Sequence, residues 1–243
     1  MTPSETPDDP YARIAPLYDA EFADATADLG WYARHLTATP TLVLGCGSGR
    51  IAPALPPSVR CVGVDRSPPM IARAAERHPT HRWVVGDMRQ FDLGRFGQVV
   101  VPNAAFSFLP TRADQAACLA ACAAALTAGG SLILDLPMPD PRWLGESHTP
   151  ERPAWSGVVD GVPVRRTREV ERRPVAQRLT LIDRWFVADD PPIVSTLQLR
   201  WIWPAEVEWM LEAAGFYVEA TYGDYADRPL HEDCPRLLVH ART

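Results

Sequence analysis

The chain has 243 residues and 24 cationic side chains, and every one of those is an arginine, because the sequence contains no lysine. That absence excludes Schiff-base chemistry on pyridoxal phosphate or a carbonyl substrate, and it excludes phosphate-loop and kinase-type lysines. A hydrophobic fraction of 47% and a formal net charge of −6 exclude a disordered chain and argue against the basic field that nucleic-acid binding requires.

In chain order, short apolar runs alternate with helix signals. Strands are predicted at Thr41–Leu44, at Cys61–Val64 with Asp65 at its end, at Arg82–Val85, at Gln98–Val101 and at Ser131–Leu134. Helices are predicted at Met70–Arg77 and Asp114–Leu126. Continuous apolar strands separated by helices mean a parallel sheet covered on both faces. The proline-rich exit Pro137-Met138-Pro139-Asp140-Pro141 ends this pattern. Alternating runs at Val162–Val170, Leu179–Val187 and Ile193–Trp203 then predict three or four inserted antiparallel strands. Pro204 opens a helix to Ala214, Gly215 stops it, and Phe216–Ala220 and Arg236–His240 supply closing strands.

The stretch that carries chemistry is Gly45-Cys46-Gly47-Ser48-Gly49, a tight turn between the first strand and the next helix. Such turns let a nucleoside cofactor approach the backbone, yet a lone glycine turn also serves packing. Three residues at the carboxyl ends of later strands strengthen the reading. Asp65 stands about twenty residues on, where a carboxylate can accept from ribose hydroxyls; Asp87 and Met88 follow the third strand, and Asn103 follows the fourth.

These motifs together resemble the class I S-adenosylmethionine-dependent methyltransferases, of the bacterial small-molecule type. The glycine turn is similar to that family's first motif, Val64-Asp65-Arg66-Ser67-Pro68-Pro69-Met70 to its acidic loop, and Gly86-Asp87-Met88-Arg89 to its adenine-contacting loop. Leu126-Thr127-Ala128-Gly129-Gly130, Leu211-Glu212-Ala213-Ala214-Gly215-Phe216 and the segment Tyr11–Asp19 resemble further family elements. The resemblance implies S-adenosylmethionine as cofactor, with S-adenosylhomocysteine as product. It implies cofactor contacts at Tyr18, Gly45, Cys46, Gly47, Gly49, Asp65, Arg66, Met70, Asp87, Met88 and Asn103. It departs from the family at Val43, where an acidic residue usually precedes the turn.

The expected fold is a single α/β domain over residues 1–243: a doubly wound, seven-stranded Rossmann-like sheet with a terminal antiparallel hairpin. Lid helices are expected over 1–38, the cofactor core over 39–137, an antiparallel insertion acting as substrate lid over 138–203, and the final helix and strands over 204–243. The expected function is methyl transfer to nitrogen, oxygen or carbon of a small molecule. The alternatives are a protein that binds the cofactor without methylating, suggested by Val43, and a nicotinamide-dependent oxidoreductase, disfavoured because the turn lacks G-x-G-x-x-G spacing. Phe106, His148, Arg200 and Trp201 are expected on the substrate side; Tyr18, His148 and Glu206 are candidate bases, and no catalytic residue is assigned.

Most arginines between Arg165 and Arg184 are expected to be solvated on strand faces, with an anionic substrate as the alternative. Trp185, Trp201 and Trp203 are expected either to line a pocket or to fill the core. The five cysteines lack C-x-x-C spacing and read as reduced, buried thiols of a cytoplasmic protein. The His78/His81 pair reads as surface structure, so no metal is expected. The start, Met1 to Pro10, lacks the features of a signal peptide, and no apolar run approaches the ~20 residues of a membrane span. The acceptor is therefore expected to be a small molecule, without nucleic acid or membrane, and the choice between monomer and homodimer stays open.

Overall fold

A computed structural model describes residues 9–243; the acidic start, Met1 to Asp8, lies outside the described residues. The apolar runs form β1 (Thr41–Leu44), β2 (Val62–Asp65), β3 (Arg82–Val85), β4 (Phe96–Val101) and β5 (Leu126–Pro137), all parallel. The antiparallel meander that follows consists of β6 (His148–Val159), β7 (Val162–Arg173), β8 (Arg178–Val187) and β9 (Ile193–Arg200). With β10 (Tyr217–Tyr222) and β11 (Arg236–Arg242), the parallel strands complete a seven-stranded sheet in the order β10-β11-β5-β4-β1-β2-β3, in which β11 runs antiparallel to both neighbours. The order reverses beside β1, which places a crevice at the carboxyl ends of β1 and β4.

Alternation along the strands divides the core. Leu42, Val99 and Leu132 point to one side, where they join Cys118, Leu119 and Cys122 of α4 (Arg112–Ala125) and Leu211 of α6 (Pro204–Ala213). Val43, Val100 and Ile133 point to the other and meet Trp31 and Tyr32 of α2 (Ala27–His35). Both sides are covered, so β1 is buried at all of its positions. All five cysteines are free and buried.

The α4 helix begins where the Thr111 hydroxyl accepts from Asp114 N–H at 3.1 Å, a cap that serves one otherwise orphaned donor. Thr111→Ala is expected to lower unfolding free energy by ~1 kcal/mol, measured as a shift of the urea midpoint.

His240 on β11 packs edge-on to Trp31 and His35, and burial, with His35 beside it, lowers its pKa to about 4. The unfolded chain, with an ordinary histidine, binds the proton more readily between these values. Stability is therefore full above pH ~6.5 and falls as pH drops toward 4, by on the order of 1–2 kcal/mol after solvent screening. Urea titrations at several pH values should show this slope, and His240→Gln should flatten it.

The inserted strands are four, with β6 beginning earlier than expected, at His148. Its prolines, Pro150 and Pro153, are tolerated because β6 is an edge strand, and the register shifts beside them. Conversely, β9 stops at Arg200, and Trp203 is the N-cap of α6. Trp201 and Trp203 thus lie beyond the strand expected to run to Trp203, which corrects its end: Pro204 starts a helix where the strand pattern was extended.

Register also corrects the reading of the arginines. Val164, Arg166, Arg168, Val170 and Arg172 lie opposite Val187, Trp185, Asp183, Leu181 and Leu179, all on one face of the insertion. That face covers α1 (Ala15–Glu21), with Ile14, Leu17, Val164 and Trp185 forming a small core. Arg166 and Arg172 are therefore buried, whereas Arg165, Arg173 and Arg178 on the opposite face are exposed. Trp185 fills this core.

Candidate active site

The glycine turn is stitched to its neighbour: Gly45 and Cys46 N–H donate to the Val64 carbonyl at 2.8 and 3.0 Å. Gly45 has φ +67°, and a Cβ there would lie 2.4 Å from Ala105 Cβ and 3.4 Å from Met88 Cε. The turn after β1, the loop after β3 and the loop after β4 therefore meet at one point, where only glycine fits.

Asp65 stands at the end of β2. Its Oδ2 accepts from Gly47 N–H at 2.8 Å and its Oδ1 from Ser67 N–H at 2.9 Å. Burial raises its pKa, and these two backbone bonds act against that rise. Each oxygen retains a lone pair, so the carboxylate is aimed and still able to accept from a pair of hydroxyls. Ser67 caps α3 (Pro68–Arg77), and Met70 in its first turn is buried. Arg66 is exposed, and its charge acts on both Asp65 and Asp87. Asp87 is half-exposed and gripped by Arg89, which holds its carboxyl below the usual range; Arg89 also reaches Asp114.

After β4, Asn103 and Ala104 both adopt left-handed backbone, with φ +46° and +64°. Two consecutive non-glycine residues in this region are strained and need outside support. Asp135 at the end of β5 supplies it: its carboxylate accepts from Asn103 N–H at 3.2 Å, and its backbone carbonyl accepts from Ala104 N–H at 2.9 Å. The same carboxylate accepts from Tyr32 and Tyr225 hydroxyls at 2.7 and 3.0 Å and from Arg236 Nε at 2.9 Å. Asp135 lies on the sheet face of Val43, since Val43, Val100 and Ile133 are register partners and Asp135 is two residues beyond Ile133. Where the sequence lacks the acid on β1, a buried acid thus stands on the same face at β5.

The α1 helix closes over these loops. Asp19 holds it down through the Ser48 hydroxyl and through Arg73 and Arg77, at 2.6 and 2.8 Å. Arg50, next to the glycine turn, pairs with Asp28 of α2 and donates to the Ala25 carbonyl at 2.8 Å. Tyr18 accepts from the Asn103 side-chain amide at 3.3 Å and stacks edge-on with Tyr11. Burial pushes the Tyr18 hydroxyl up to about 12, so it stays protonated at neutral pH and does not act as a base there.

The structure therefore brings Gly45 and Met88 together with Asp65, which holds Gly47, and with Asn103, which meets Tyr18; Cys46 and Met70 are buried, and Arg66 and Asp87 are exposed or half-exposed. Gly49 is set against Trp83 and His78 instead. The four residues expected on the substrate side have these surroundings. Phe106 is 1% exposed within the main core, because the turn after Asn103 points its ring inward. His148 lies at the start of edge strand β6 and pairs with Glu169. Arg200 is buried against Gln115, Gln177 and Glu206, and Trp201 is buried beside it, both joining the insertion to α4 and α6. Glu206 accepts from Arg200 and from the Gln177 side-chain amide in the same network. Tyr11, Glu21, Asp135 and Asp183 were not among the expected site residues; of these, Tyr11 alone had a signal, its place in the segment Tyr11–Asp19, of which only the later part is α1.

The crevice fits an adenosyl cofactor. A Cβ at Gly47 would meet nothing within 4 Å, leaving open space beside the aimed carboxylate. Among the described residues, no group of three or more His, Cys, Asp and Glu is arranged to hold a metal.

A methyltransferase-domain family model matches residues 42–130. The dTDP-3-amino-3,6-dideoxy-alpha-D-glucopyranose N,N-dimethyltransferase of Streptomyces fradiae is 30% identical over 92% of this chain and 91% of its own. The chain belongs to the class I S-adenosylmethionine-dependent methyltransferases. Other curated relatives of this methyltransferase match only in part, and it spans about half of their length. Among solved structures, the methyltransferase shares its fold with CcbJ from Streptomyces caelestis: TM-score 0.84, 23% identity, 97% of this chain and 98% of that one. It is also similar to CalS10, an amino pentose methyltransferase from Micromonospora echinaspora, with TM-score 0.67, 27% identity and 93% and 92% coverage. Among its described residues, no helix of the methyltransferase is long and apolar enough to cross a membrane.

Proposed function

We propose that the protein transfers a methyl group from S-adenosylmethionine to the amine nitrogen of a small, hydroxylated acceptor of the amino-sugar kind. The observation that carries the reading is the convergence of Gly45, Met88 and Ala105 next to the aimed Asp65 carboxylate, at the switch point of the sheet. The amino-sugar relatives, matched over nearly the whole chain, support the choice of acceptor.

When bound, the cofactor supplies an electrophilic sulfonium methyl. In this reading Asp65 accepts from the ribose hydroxyls, Gly45 to Gly47 admit the methionine portion, Met70 and Met88 flank the adenine, and Asp87 accepts from its amino group. Asn103 and Tyr18 border the methyl end, where Tyr18 acts as a hydrogen-bonding hydroxyl. Catalysis then rests on alignment and exclusion of water under α1 and the insertion, and the acceptor amine must arrive unprotonated. The free, buried cysteines support a reducing, cytoplasmic setting.

The test is incubation of the full chain with S-adenosylmethionine and a panel of amino sugars, read by mass spectrometry. One or two added CH2 units on the amine are expected. Methylthioadenosine release without a methylated product would favour unusual cofactor use, and tight nicotinamide binding without S-adenosylhomocysteine binding would sink the reading.

A further inference from the structure

The underside of the insertion carries a charged cluster that the cofactor site does not use. Arg166 and Arg168 project from the same face of β7, Asp183 is the register partner of Arg168 on β8, and Glu21 ends α1 beneath them. Arg168 grips Asp183 at 2.6 and 2.7 Å, while Arg166 donates to Asp183 at 3.1 Å and to Glu21 Oε1 at 2.6 Å. Two guanidiniums face two carboxylates, so the cluster has no net charge to offer a ligand.

Its hydrogen-bonding capacity is not exhausted. Among the described residues, Glu21 Oε2 and Arg168 Nη1 have no protein partner, and the Arg168 side chain is 30% exposed. Arg166 Nε and Trp185 Nε1, on neighbouring residues of paired strands, are buried without any acceptor. Buried orphan donors are rare in folded chains and mark places where a further acceptor atom belongs. The cluster also lies toward the reaction end: Glu21 is one turn after Tyr18 on α1, whose hydroxyl meets Asn103, and Tyr11 is within electrostatic reach of Asp65, Arg168 and Asp183.

We infer that Glu21 and Arg168 form the recognition subsite for a neutral, hydroxyl-bearing ring of the acceptor. Each hydroxyl both donates and accepts, which matches one free carboxylate oxygen and one free guanidinium nitrogen in the same cluster, joined through Arg166 and Asp183. A carboxylate or phosphate could accept from Arg168 Nη1, but it would then lie beside the Asp183 and Glu21 carboxylates, whose repulsion opposes the bond. An amine without hydroxyls would desolvate both groups and return nothing. The inference rests on the methyl-transfer reading only for which molecule arrives there.

The test titrates the full chain, loaded with S-adenosylhomocysteine, by calorimetry against three probes: methyl 3-amino-3-deoxyglucopyranoside, the matching 3-amino-uronate, and cyclohexylamine. The neutral amino sugar should bind, with the other two weaker by about ten-fold or more. Glu21→Gln keeps an oxygen for Arg166, and Arg168→Lys keeps a positive charge opposite Asp183. Each should cost about ten-fold in amino-sugar affinity and leave S-adenosylhomocysteine affinity unchanged, which also shows that the variant is folded. Tighter uronate binding, equal cyclohexylamine binding, no amino-sugar binding at all, or variants that bind the sugar like the parent would each overturn the assignment. Binding as expected with no methylated product would leave the subsite standing and remove the methyl-transfer reading instead.

Discussion

Asp65→Ala is expected to weaken S-adenosylhomocysteine binding by ~1.5–3 kcal/mol, roughly ten- to a hundred-fold, through loss of charge-assisted hydrogen bonds to the ribose. The loss has two parts. The direct part is the lone pair that each Asp65 oxygen keeps free for the ribose hydroxyls. The indirect part is the release of Gly47 N–H and Ser67 N–H, which the carboxylate now holds at 2.8 and 2.9 Å. Asp65→Asn separates them, because the amide keeps one acceptor oxygen while removing the charge; its affinity should fall between those of the parent and the alanine variant. Calorimetry measures both variants, and thermal unfolding checks that the turn survives. An Asp65→Ala protein that binds S-adenosylhomocysteine as tightly as the parent would move the ribose elsewhere.

Asp135→Ala is expected to be the most destabilising single change considered, by ~3–5 kcal/mol, because it breaks a buried ion pair and leaves its partner charge behind. Arg236 and the Tyr32 and Tyr225 hydroxyls all lose their common acceptor, and Asn103 N–H loses the bond that supports a strained backbone. Asp135→Asn preserves the shape and should fold. It should nonetheless lower kcat more than it changes S-adenosylhomocysteine affinity, since the disturbed element is the Asn103-Ala104 turn rather than the Asp65 contact. Urea unfolding of both variants, with steady-state kinetics on the asparagine form, decides the matter. Parental stability in Asp135→Ala would show that the pair's desolvation cost cancels its attraction.

The parts of the site that were legible in the sequence are those carried by local chain geometry. A glycine turn after an apolar run, and carboxylates at the ends of the next strands, keep their meaning wherever the strands pack, because parallel strands present their carboxyl ends together. Asp65, Met88 and Asn103 were expected in this way, and they stand at or just after the carboxyl ends of β2, β3 and β4. The surroundings of Phe106, His148, Arg200 and Trp201 were not legible for a shared reason: they depend on which side of a turn, strand or helix cap each residue faces. Shifting a strand's register by one residue exchanges its faces, and a strand cut short at Pro204 moved Trp203 onto a helix. Asp135 escaped notice because a lone aspartate in an apolar strand has no pattern around it; its partners come from α2, from the loop after β10 and from β11.

The sequence by itself determined the class of fold, the glycine turn, the carboxylate at the end of β2 and the exclusion of lysine chemistry, since each is written in neighbouring residues or in composition. Tertiary structure alone decided what the arginines do. The same residue type is solvated at Arg165, locked to Asp135 at Arg236, and set against Asp183 over the proposed acceptor path at Arg168. A guanidinium's worth is set by whether it is desolvated and by which carboxylate meets it, and both are properties of chain segments that are distant in sequence.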